Sequence, residues 1–277
     1  MHSLLEERVR ELRNERHHGA SWMARRALEA LVEAVENGED PLEAGRVLAS
    51  ARTSLGAIAG AVGRVLACGG IPEQVIAEAE AVIGSRDRAA KAIAVMLAPD
   101  IHGTVMTHSA SATVLEALTH TPPAQVVCTI SEPGGEGRGL AAELKARGVE
   151  VELIADSEGA EAVRESDLLL LGADTVFRDG SLVNKTGTGS IAKAANEAGV
   201  PVLVACETFK LAPFEPEQPR EDTFELIPAA LIDRVVTEEG AAGTGDVASL
   251  VDRTPCLQKG YDLLRGRRDR LRPLESS

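Results

Sequence analysis

Residues 168–210 read LLLLGADTVFRDGSLVNKTGTGSIAKAANEAGVPVLVACETFK. The unbroken leucine run describes a strand buried on both faces, as parallel sheets require. The chain then stops at Gly-Ala-Asp, passes a turn dipeptide at Asp179-Gly180, and opens a helical stretch (190–198) ahead of a second apolar strand at 202–205. Upstream, candidate strands at 104–106, 125–129 and 149–154 alternate with helical patterns at 112–118, 137–146 and 160–165. This alternation is that of an α/β protein with a mainly parallel sheet covered on both faces. Such sheets bind ligands beyond the carboxyl ends of their strands, near a reversal of strand order. The loops of interest are therefore 107–111, 131–138, 172–188 and 207–210.

Residues 1–98 follow a different pattern. Leu4, Leu5, Val9 and Leu12 recur at helical spacing, as do Met23, Ala27, Leu28, Leu31 and Val35. Asn37-Gly38 stops one helix, Asp40-Pro41 opens the next, and Pro72 begins another. The expected division is a helical N-terminal domain (1–98) and an α/β domain (99–277), with residues 266–277 read as a fraying tail. Of the 277 residues, 44% are hydrophobic and 26% charged, which excludes a disordered or fibrous chain. Forty-three acids against 29 bases give a net charge of −14. That balance disfavours direct nucleic-acid binding and fits a salt-adapted, halophilic-type interior. No apolar run approaches the roughly 20 residues of a membrane span, and the charged N-terminus is not a signal peptide. A cytoplasmic location is expected. The four cysteines, far apart in sequence, are expected to behave as small core residues of a reducing compartment.

The loops carry the chemistry. Thr-His-Ser-Ala-Ser at 107–111 leads into a helix whose free N–H groups suit an anion, although taken alone the loop reads first as a plain Ser/Thr N-cap with no ligand. His108 reads either as a base or as a structural hydrogen-bonding group. In 131–138, glycines permit close backbone approach and Arg138 offers a bidentate fork, although a simple turn fits as well. The stretch matches neither the dinucleotide nor the Walker pattern. In 172–188, Asp174 ends a strand, while Asn184, Lys185, Thr186 and Thr188 add an amide, a cation and hydroxyls. Together these read as a phosphorylated-polyol site with Asp174 placed for proton transfer; the plainer reading is a strand-end cap with a surface salt bridge. Glu207 and Lys210 either pair or line the same pocket. Carboxylates and histidines do not cluster at ligand spacing, so no metal and no cofactor is expected.

THSASATVLEAL (107–118), GEGRGLAAEL (135–144), GADTVFRDGSLVNKTGTGSIAKAA (172–195) and GVPVLVACETFK (199–210) resemble the family of eukaryotic initiation factor 2B alpha, beta and delta subunits. That family also contains methylthioribose-1-phosphate and archaeal ribose-1,5-bisphosphate isomerases. HHGASWMARRAL (17–28), ARTSLGAI (51–58) and IPAALIDRVVTEEG (227–240) extend the likeness. The resemblance implies a helical domain followed by a Rossmann-like domain that pairs into a homodimer or larger oligomer. It also implies a ligand site at His18, Gly19, Ala20, Arg52, Ser111, Arg138, Asn184 and Lys185, with Asp174 and Ser109 at the catalytic positions. Ser109 stands where the isomerases carry a cysteine, His18 where they carry an arginine, and Glu132 replaces the arginine of Ser-Arg-Pro.

A serine hydroxyl is a far weaker acid and nucleophile than a thiol. The first expectation is therefore a regulatory protein, resembling the initiation-factor subunits, with a sugar-phosphate or nucleotide pocket and a translation initiation factor as its candidate partner. The alternative is a sugar-phosphate aldose–ketose isomerase using Asp174. A scaffold subunit without a small-molecule ligand is the third reading.

Overall fold

The structure, a computed structural model, describes residues 4–15, 18–69 and 71–266. The tail expectation for residues 267–277 lies outside them. Five helices come first: α1 (Leu4–Asn14), α2 (Ala20–Glu36), α3 (Pro41–Ala49), α4 (Gly56–Cys68) and α5 (Pro72–Leu97). Their ends follow the sequence signals. Asn37 returns its amide to the Glu33 carbonyl at 2.6 Å and Gly38 adopts φ +83°, which closes α2. Asp40 accepts the Glu43 N–H at 2.9 Å and Pro41 starts α3. Leu12, Met23, Leu28, Leu31, Leu48 and Ile58 fill the core between these helices.

The remainder runs β1 (Thr104–Thr107), α6 (Ala112–His120), β2 (Gln125–Thr129), α7 (Glu136–Ala146), β3 (Val151–Ile154), α8 (Gly159–Ala162), β4 (Leu168–Leu171), β5 (Thr175–Phe177), β6 (Leu182–Lys185), α9 (Thr188–Ala198) and β7 (Val202–Ala205). It continues through β8 (Leu211–Ala212), β9 (Phe224–Ile227), β10 (Arg234–Thr237), β11 (Gly240–Gly243), α10 (Val247–Arg253) and α11 (Leu257–Arg265). Seven strands form the main sheet in the order β11-β10-β7-β4-β1-β2-β3, parallel except for β11. The leucine run divides between its two faces. Leu168 and Leu170 face a core with Ile93, Leu97 and Val105, while Leu169 and Leu171 face one with Met106, Ile191 and Val204. This is the α/β architecture expected: N-terminal helices, then a mostly parallel sheet.

Two features differ from the sequence reading. The 172–188 stretch is not a loop: β5 and β6 form a hairpin closed at Asp179-Gly180, and with β8 and β9 they make a second sheet ordered β8-β5-β6-β9. Asn184 and Lys185 therefore sit on a strand. The reason is non-local: each strand is very short, and pairing with 224–227 extends the hairpin. Cysteines behave in two ways. Cys128 and Cys206 are buried, whereas Cys68 is exposed and Cys256 half-buried.

Candidate functional site

The order of strands reverses between β1 and β4, where the chain has run outward through β2 and β3 and come back. In open α/β sheets the crevice lies there. The loop after β1 carries Ser109 and Ser111, and the segment after β4 carries Asp174. They touch: a Cβ placed on Gly172 would lie 2.7 Å from the Ser111 Cβ. Ser111 caps α6 by accepting the Val114 N–H at 3.3 Å. The N-terminus of α2 closes over this loop, with Gly19 against the Ala110 carbonyl and Ala20 buried.

Asp174 is half-buried, its own N–H donating to the Val183 carbonyl across the hairpin at 3.0 Å. Its carboxyl accepts no hydrogen bond and closes no ion pair among the described residues. Burial pushes it up to about 6; Lys210 and Arg52 oppose the rise, and Glu221 and Glu136 reinforce it. An acid near 6 is suited to exchanging protons at neutral pH.

The cations around it are already engaged. Arg52 forks onto the Glu221 carboxylate, donates to the Glu15 carbonyl at 2.8 Å and lies over the Phe224 ring. Lys185, itself buried, donates to Oε1 of the half-buried Glu136 at 2.8 Å. Lys210 lies 3.1 Å from Glu207 Oε2, and Ser21 of α2 donates to the other Glu207 oxygen at 2.9 Å. Burial works against both charges in this pair. Lys210 nevertheless holds Glu207 below the usual carboxylate range, and Glu207, Cys206 and Asp174 hold Lys210 above the usual ammonium range. Of the two readings for Glu207 and Lys210, they pair, and Lys210 also faces Asp174.

Anion-binding backbone is occupied as well. Glu225 Oε1 accepts the N–H groups of Gly187 and Gly189 at 2.8 and 2.9 Å, filling the N-terminus of α9. Asp156 accepts the N–H groups of Ser131 and Glu132 at 2.6 and 2.7 Å. Asn184 donates to Thr188 Oγ1 at 3.1 Å. His108 is fully engaged through Thr129 Oγ1 at 2.6 Å and the Thr186 carbonyl at 3.1 Å, and burial holds its pKa below the usual value. The neutral ring thus donates from Nε2 to a carbonyl, a structural role rather than that of a base.

Ser109 is half-buried with φ +66°, and its N–H donates to Ser131 Oγ at 2.8 Å; Ser131 shares the left-handed conformation at +67°. Non-glycine residues in this region carry strain, which clusters at functional sites. Two residues stand further out. Arg138 is exposed, 3.6 Å from Glu132, and His18 is exposed, stacked on Trp22 at 4.1 Å and 3.1 Å from Glu15.

Two cavities of about 270 and 290 Å³ open nearby. The larger lies behind the hairpin, walled by Thr175, Val183, Phe214 and Tyr261, and neither is lined by Asp174, Ser109 or Lys185. The expected pocket beside Asp174 is thus not one of these two cavities. Sequence reasoning missed the acids Glu136, Asp156, Glu221 and Glu225. They lie 49, 25, 169 and 38 positions from the groups they hold, so spacing gives no sign of them.

Similar proteins give this geometry a context. A translation initiation factor eIF-2B subunit 2-like protein of Pyrococcus abyssi is 34% identical over 217 residues, 74% of this chain and 78% of that one. The ribose 1,5-bisphosphate isomerase of Methanocaldococcus jannaschii is 30% identical over 281 aligned positions, 86% of this chain and 91% of that one. The crystal structure of a Pyrococcus horikoshii translation initiation factor eIF-2B superposes with a TM-score of 0.77 at 27% identity, covering 87% of this chain and 98% of that one. Residues 16–223 match the model of the initiation factor 2 subunit family. With that match spanning most of its length, the chain belongs to the initiation factor 2 subunit family.

Proposed function

We propose that this protein is a regulatory member of its family, related in role to the initiation-factor subunits, which binds a singly phosphorylated sugar or nucleotide and does not isomerise it. One observation carries the reading: among the described residues, the buried cations and the α9 N-terminus are neutralised by the chain's own carboxylates, at Arg52–Glu221, Lys185–Glu136, Lys210–Glu207 and Glu225 on α9. An incoming phosphate has to displace one of these acids, so it binds a cation only by breaking an ion pair that is already formed. A bisphosphate, with more negative charge to place among four carboxyls and three cations, is disfavoured most. Ser109 in place of a thiol points the same way. Glu136 Oε2, buried without a donor, is an acceptor for a ligand hydroxyl.

A second reading, an isomerase of the ribose-1,5-bisphosphate or methylthioribose-1-phosphate type, is favoured by Asp174 and by the likeness to a ribose 1,5-bisphosphate isomerase. The Asp174 carboxyl is unpaired and sits at about 6, the property a proton-shuttling acid needs. Assaying both sugars with the wild type and with Asp174→Asn separates the two: the regulatory reading expects no turnover, and conversion lost in the variant overturns it. As a regulator the chain acts through self-association and a protein partner of the translation-factor type. The oligomer is expected to be a dimer or larger, and a mass by light scattering equal to one chain at micromolar concentration contradicts that.

A further inference from the structure

We propose that Cys68 and Cys256 form a redox-sensitive modification site, a dithiol that oxidises to an intramolecular disulfide tying α4 to α11. Their sulfurs lie 2.8 Å apart although 188 positions separate the residues. Both are free thiols, Cys68 exposed and Cys256 half-buried, so a small oxidant reaches them. The backbone enforces the encounter. A Cβ placed on Gly63 or Gly260 would fall 2.9 or 2.4 Å from the other residue's backbone, so α4 and α11 touch main chain to main chain. Lys259 Nζ donates to the Ala67 carbonyl at 2.6 Å, fastening the start of α11 to the end of α4. Cys68 is the last residue of α4 and Cys256 the cap of α11, where it takes φ +63°. Glycine serves best at such a cap, and a cysteine held there places its sulfur against Cys68.

The oxidant is a small-molecule disulfide, RSSR. The Cys256 thiolate attacks one of its sulfurs, forming a mixed disulfide and releasing RS⁻. The Cys68 thiolate then attacks the Cys256 sulfur, forming the Cys68–Cys256 bond and releasing a second RS⁻. The two protons from the protein thiols leave with these thiolates, giving two RSH. Partial burial and the neighbouring thiol push the Cys68 thiol up to about 11, so little of it is thiolate at neutral pH, and its closeness to Cys256 offsets that scarcity. The bond acts on the region already described: α4 presses Gly60 against the Phe209 carbonyl beside Lys210, and its Gly56 N–H donates to Thr175 beside Asp174 at 2.8 Å. Oxidation thus fastens α11 to the helix that makes these two contacts.

The test uses the intact chain treated with oxidised glutathione, then alkylated and analysed by mass spectrometry. Expected are a fall of about 2 Da, a Cys68–Cys256 cross-linked peptide, and a melting temperature raised by roughly 5 °C or more. Cys68→Ser and Cys256→Ser should each stop at one bound glutathione with no such rise. Thiols that stay alkylatable, a wild type that stops at the mixed disulfide, or cross-links between chains would each overturn the proposal. If either variant fails to fold, the wild-type peptide map decides alone.

Discussion

Among the described residues, Asp174 is the one carboxyl in its surroundings that no cation or donor holds. Glu136, Glu207 and Glu221 each face a cation, whereas Asp174 shares Lys210 and Arg52 at a distance and rises to about 6. A carboxyl raised from its ordinary value of 3.8 binds more protons folded than unfolded between those pH values. Stability is therefore lost as pH rises through that window and stays lowered above it. Because the group is only half-buried, the penalty is about 1–2 kcal/mol rather than the full shift. Asp174→Asn is expected to melt a few degrees above the wild type at pH 8 and level with it near pH 4. A variant less stable at pH 8 contradicts this view of the site's electrostatics. At this scale Asp174 and Lys185 are placed by a strand end and the polar residues that follow it, whereas Arg52 and the serine at 109 come from the family resemblance. The acidic partners are not legible in the sequence, since an ion pair such as Arg52–Glu221 is created only when distant segments meet.

Among the elements, α4 and the 208–210 turn set the position of Lys210. The contact depends on Gly60: an added Cβ would come within 1.9 Å of the Phe209 carbonyl. Gly60→Ala should therefore cost about 1–3 kcal/mol or more, push the turn outward, and lower the melting temperature by several degrees. Gly84→Ala, in α5 with no atom within 4 Å of the new methyl, should instead leave the protein as stable or slightly more so. Equal effects at the two positions would show that the close approach of α4 to the turn is unimportant. The main strands and helices are readable because a run such as 168–171 is continuous, apolar and bounded by turn residues. The second sheet escapes that reading: β5 spans three residues and β8 two, too short for a period to register. The α4–α11 contact escapes it too, since Gly63 and Gly260 carry no pattern linking them.

For the whole molecule, the net charge is −14. Like charge over the surface favours expansion at low ionic strength, and salt screens it over a Debye length of about 10 Å at 0.1 M. The melting temperature is expected to rise steadily from low salt to molar KCl; a flat or falling profile contradicts salt adaptation. Within the site, a chain that supplies its own anions to Arg52, Lys185, Lys210 and the α9 terminus needs no bisphosphate to neutralise them. The most direct test follows ribose 1,5-bisphosphate and methylthioribose 1-phosphate by phosphorus NMR in the presence of the protein in molar salt. Both spectra are predicted to remain unchanged over hours, while calorimetry detects micromolar or weaker binding of a singly phosphorylated pentose or nucleotide. Conversion of either sugar by the wild type, abolished in Asp174→Asn, would contradict the regulatory role.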